Sequence, residues 1–67
     1  MILAAGTRVT IRGSWGVTEW VVTRQDANGR VYLQSVLRGR RKLKDREIPL
    51  GMLDWMVGKK ILEVVKG

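Results

Sequence analysis

Cysteine and histidine are both absent from this chain of 67 residues. Without cysteine no disulfide can form, and nothing in the composition argues for an oxidising compartment. Without either residue a structural zinc site has none of its preferred ligands, and the commonest general bases and nucleophiles of enzymes are missing. Phenylalanine is absent too, and the aromatics reduce to Trp15, Trp20, Tyr32 and Trp55. Negative charge is scarce: six carboxylates stand against thirteen cations, for a net charge of +7. No apolar run reaches the length of a membrane span. The stretch Met1-Ile2-Leu3-Ala4-Ala5-Gly6 is apolar but short for a secretion signal, and no basic segment precedes it. No Gly-rich phosphate loop of nucleotide-binding form occurs. The expectation is a cytoplasmic chain, in a bacterial or phage setting, that is not an enzyme and uses no metal, cofactor or membrane.

What is present suggests one domain over residues 1–67. A domain this small buries only about 60% of the surface its unfolded chain exposes, so it needs either a staple or an apolar core. Hydrophobic residues make up 45% of the chain. Met1 to Ala5, with Val36, Met52 and Trp55, amount to more apolar surface than one small domain covers, which predicts a homo-oligomer.

Glycines at 6, 13, 16, 29, 39, 51, 58 and 67 divide the chain into short segments rich in Val, Ile, Thr and Trp, the spacing of an all-β domain. In Thr7 to Arg12, Val9 and Ile11 alternate with Arg8, Thr10 and Arg12, the period of a half-buried strand. Val17 to Arg24 is dense in β-branched residues but alternates imperfectly at Trp20-Val21-Val22, so it is either buried on both faces or strongly bent. Asn28-Gly29 between two such runs predicts a hairpin with a type I′ turn. In Arg30 to Arg38, Val31, Leu33, Ser35 and Leu37 form the core face. Arg38-Gly39-Arg40-Arg41 reads as the next turn. Leu43 and Ile48 then conflict under strict alternation, which a bulge or a strand start near Arg46 resolves. Pro49 ends that strand. Leu50 to Val57 has helical spacing, with Leu50, Leu53 and Met56 or Val57 inward and Gly58 as a stop. Lys59 to Lys66 closes as a strand.

Five short strands with one helical turn before the last resemble the SH3-like small β-barrel, and Gly6-Thr7-Arg8-Val9-Thr10-Ile11 is similar to the opening strand of many such barrels. The resemblance implies an all-β, five-stranded barrel. Plasmid-borne SH3-like dihydrofolate reductases share this size and opening strand. Their Gln-containing active-site strand has no counterpart at Arg46-Glu47-Ile48-Pro49, so that activity is not carried over.

The acids are Glu19, Asp26, Asp45, Glu47, Asp54 and Glu63. Asp45 and Glu47 share a face of a regular strand, where pairing with Lys44, Arg46 or neighbouring cations is favoured over a catalytic role. The main signal is Arg38, Arg40, Arg41, Lys42, Lys44 and Arg46, opposed within the run only by Asp45. As a hairpin, Lys42, Lys44 and Arg46 would project from one face with Arg40 and Arg41 at the tip, a ribbon able to follow a phosphate backbone. The planar guanidinium suits bidentate phosphate contacts. The competing reading is a solvated edge, where cations block strand-to-strand association. Trp15, between Ser14 and Gly16, either stacks on a base or fills a partner's pocket, or else caps the core. Tyr32 stacks on a base or, the favoured reading, serves as a cross-strand β former. Trp20 and Trp55 are expected in the core. Together these predict a nucleic-acid-binding module (DNA or RNA), largely sequence-independent. The alternative is an adaptor, or a phage or mobile-element accessory protein, that meets an acidic protein surface.

Overall fold

A computed structural model of the chain describes residues 2–14, 16–36 and 45–65. It is mainly β. The strands are β1 (Arg8–Gly13), β2 (Gly16–Gln25), β3 (Val31–Ser35), β4 (Arg46–Ile48) and β5 (Leu62–Val64), with one helix, α1 (Leu50–Gly58), before the last strand. All pairings are antiparallel, in one sheet of order β4-β3-β2-β1-β5. The expected alternation holds in β1, where Val9 and Ile11 are buried, and in β3, where Val31, Leu33 and Ser35 are buried while Tyr32 and Gln34 are half-buried. One face of the sheet thus collects Val9, Ile11, Trp20, Val22, Val31, Leu33, Ile48 and Leu62, and α1 adds Leu53 and Met56.

The irregular middle of β2 is a bend. Val22 pairs with Leu33 and Arg24 with Tyr32, leaving Thr23 as the extra residue of a bulge. Its hydroxyl donates to the Tyr32 carbonyl at 3.1 Å, so the unpaired residue still ties the two strands together. Bulges increase strand twist, which lets this ten-residue strand serve both ends of the core.

The hairpin at Asn28-Gly29 is present, but its turn is not type I′. Among the described non-glycine residues only Lys60 has positive φ, so Asn28 does not adopt the conformation that turn requires. The Gly29 amide donates to the Asp26 carbonyl (3.0 Å), and the Asp26 amide donates to the Arg30 carbonyl (3.0 Å). This is a three-residue connection with Gly29 alone left-handed, at φ +84°. Asp26 decides the outcome: its Oδ1 accepts from the amides of Asn28 (2.9 Å) and Arg30 (3.0 Å), the side-chain turn that aspartate favours.

The strand before Pro49 begins late, at Arg46, and so Leu43 need not share its register. Pro49 then leads directly into α1. The helix ends in a Schellman arrangement, with the Lys60 amide donating to Val57 (3.1 Å) and the Ile61 amide to Met56 (2.9 Å). The left-handed position is Lys60, at φ 59°, two residues beyond the glycine expected to stop the helix.

The expected closed barrel does not form. β4 and β5 are the two edges of the sheet. Each has only three residues, and Leu53 and Met56 of α1 complete the core on the inner face of the open sheet. A second expectation also fails: Trp20 is core but Trp55 is 54% exposed. At 3.6 residues per turn Trp55 stands about 200° around the helix from Leu53, away from the buried stripe. At the other terminus, Leu3 is buried in the chain's own core. Its amide donates to Gln25 Oε1 at 2.8 Å, and Gln25 in turn donates to the Gly29 carbonyl at 3.0 Å.

Candidate nucleic-acid interface

The register of β3 and β4 builds the base of the basic hairpin: Val31 faces Ile48, Tyr32 faces Glu47 and Leu33 faces Arg46. The chain that joins these strands carries Arg38, Arg40, Arg41, Lys42 and Lys44. Those five residues and Trp15 lie outside the described residues, so of the expected site only Tyr32 and Arg46 are placed. Because β3 and β4 pair antiparallel, the end of β3 and the start of β4, which the basic connection joins, lie at the same end of the sheet.

Tyr32 and Arg46 are not on the same face. Tyr32 and Glu47 lie on the outer face of the ladder, whereas Arg46 shares the side of Leu33 and Ile48. The Tyr32 ring is already occupied, with the Arg24 guanidinium carbon 4.0 Å from its centroid and its hydroxyl 3.4 Å from Asp26 Oδ2. These contacts hold Tyr32 against Arg24 of β2 and Asp26 of the turn. Glu47 accepts from Arg30 at 3.1 Å, which is pairing with a neighbouring cation. Glu19 lies 3.8 Å from Arg8.

The charge is unevenly spread. All six side-chain carboxylates fall within the described residues, together with seven of the thirteen cations. That part of the molecule is therefore within one charge of neutral. The connection from β3 to β4 holds five cations and no acid in the stretch 37–44. Nearly all of the net charge thus belongs to that connection and to Lys66.

One part of the site was not anticipated from the residues. A groove of about 320 Å³ opens between the β1–β2 turn and α1, lined by Arg12, Ser14, Arg46, Met52, Trp55 and Ile61 among others. Gly16, at φ +114°, and Gly13 pair across that turn and flank Ser14 and Trp15. Helical spacing was the available signal for Trp55, since it falls off the stripe of Leu50, Leu53 and Val57. Nothing local marks Arg12, which lines the groove only because the fold brings the end of β1 and α1 to one place. Among the described residues no group of acidic side chains is arranged to hold a metal ion, and no helix is long and apolar enough to cross a membrane. No family model, curated protein or solved structure matches the chain significantly.

Proposed function

We propose that this chain is a nucleic-acid-binding module that grips the phosphate backbone through the connection between β3 and β4, largely independently of sequence. The supporting observation is the segregation of charge. A cationic surface needed only for solubility would be dispersed, but here a nearly neutral sheet-and-helix body carries a block of five cations on one edge connection. Concentrated positive charge raises local affinity for a polyanion far more than the same charge spread over the surface. Five strands with a helical turn before the last also support an SH3-like ancestry for the scaffold, its sheet left open.

Binding is measured by fluorescence anisotropy with labelled DNA and RNA. With about five phosphates contacted on duplex DNA, affinity falls roughly 500-fold between 50 and 200 mM salt. No binding to either polymer at low salt refutes the reading. An acidic protein surface is the competing partner. A complex recovered from cell extract that survives nuclease treatment would favour it.

A further inference from the structure

The described arginines divide into two groups. Arg8 pairs with Glu19, Arg30 with Glu47, and Arg24 covers the Tyr32 ring. Among the described residues neither Arg12 nor Arg46 makes an ion pair like these; Arg12 also lines a neighbouring pocket with Glu63, and Arg46 one with Asp45 and Glu47. These two guanidiniums come from distant parts of the sequence, yet both line the groove beside α1, and no acidic residue lines it with them. The same groove is lined by Trp55 and Met52, each about half exposed, and by the buried Ile11 and Met56.

We propose that this groove binds a single-stranded nucleic acid, with one base stacked on Trp55 and the flanking phosphates held by Arg12 and Arg46. The inference rests on the nucleic-acid reading above and names the strand form that reading left open. An exposed indole in one groove with two guanidiniums matches an unpaired nucleotide, which offers an apolar face with an anion on either side. At about 320 Å³ the space is at the small end of ligand sites, the scale of a base rather than of a helix. A duplex keeps the faces of its bases stacked internally and shows only their edges in the grooves, so Trp55 would have no face to meet.

The test compares a 15-nucleotide single strand with the 15-base-pair duplex, using the wild-type chain, Trp55→Ala, Trp55→Tyr and Arg12→Ala. Wild type is expected to bind both. Trp55→Ala weakens single-strand binding between about fivefold and 150-fold and leaves duplex binding within about twofold. Trp55→Tyr restores most of the loss. Arg12→Ala reduces the salt slope for the single strand by about 0.7. All substituted positions are solvent-exposed, and unchanged thermal unfolding confirms the fold. Unchanged single-strand affinity in Trp55→Ala overturns this inference while the hairpin reading stands. Equal losses on single strand and duplex also overturn it. If sedimentation shows a wild-type dimer that Trp55→Ala converts to monomer, the groove belongs to a second copy and the inference is wrong. If wild type binds neither form, the hairpin reading and this one fall together.

Discussion

Replacing Gly29 by alanine should destabilise the domain by about 2 kcal/mol, for two separable reasons. The backbone there has φ +84°, and a left-handed conformation disfavours a residue bearing a β-carbon by about 1–2 kcal/mol. The new methyl would also stand 2.9 Å from Leu50 Cδ2, 3.0 Å from its Cβ and 3.1 Å from its Cδ1. Overpacking costs about 1–3 kcal/mol, and Leu50 should give the low end because it is partly exposed at the start of α1. Against these, alanine restricts the unfolded chain and returns about 0.4–1 kcal/mol. For a domain this small, the net loss lowers the melting temperature by about 8–16 °C. Circular dichroism during heating and urea unfolding by tryptophan fluorescence both read it. Combining Gly29→Ala with Leu50→Ala separates the two causes, because removing Leu50's side chain relieves the contact but not the backbone strain, giving a coupling of about 1 kcal/mol. A Gly29→Ala chain within about 0.5 kcal/mol of wild type would refute the reasoning, and zero coupling would refute its Leu50 half.

Other substitutions test separate parts of the account. Leu33→Ala empties a fully buried position on the central part of the sheet and should cost about 2–5 kcal/mol, enough to unfold much of a small domain; urea titration shows whether it does. Lys60→Gly should stabilise by about 0.5–1 kcal/mol, since glycine occupies the left-handed position after α1 without the β-carbon penalty; a lower melting temperature would mean that the Schellman end is not as described. The triple change Arg40→Ala, Arg41→Ala, Lys42→Ala should leave stability within about 0.5 kcal/mol while weakening polyanion binding, so unaltered binding would reduce the cluster to a solvated edge.

How much of this was legible beforehand differs by element. The inward sets of β1 and β3 follow directly from alternation, because a sheet with one buried face enforces a period of two. The bend in β2 was visible only as a break in that period, and the bulge at Thr23 is its physical form. The Asn28-Gly29 hairpin was legible, but its turn type was not: Asp26 intercepts the amides that a two-residue turn would leave to the strands. Closure of the sheet could not be read from strand number, since it depends on edge length, and β4 and β5 have three residues each. Trp55 is apolar but out of helical phase with Leu53, and phase rather than apolar character decides its exposure. Arg12 was unreadable as a groove residue, since the groove it lines also takes residues from a helix more than thirty positions later. The cationic run was plain in the residues, as was the near balance of charge in the rest of the chain, with eight cations against six acids outside 37–44.

The salt dependence of DNA affinity, compared between wild type and the Arg40, Arg41 and Lys42 triple-alanine chain, tests the central claim most directly. Counterion release makes the slope of log K against log salt a count of phosphates neutralised, at about −0.9 for each on duplex DNA. The account predicts a slope near −4 to −5 for wild type and about −2 for the triple variant, with both chains equally folded. Equal slopes for the two chains, or no measurable binding by wild type at low salt, would contradict it.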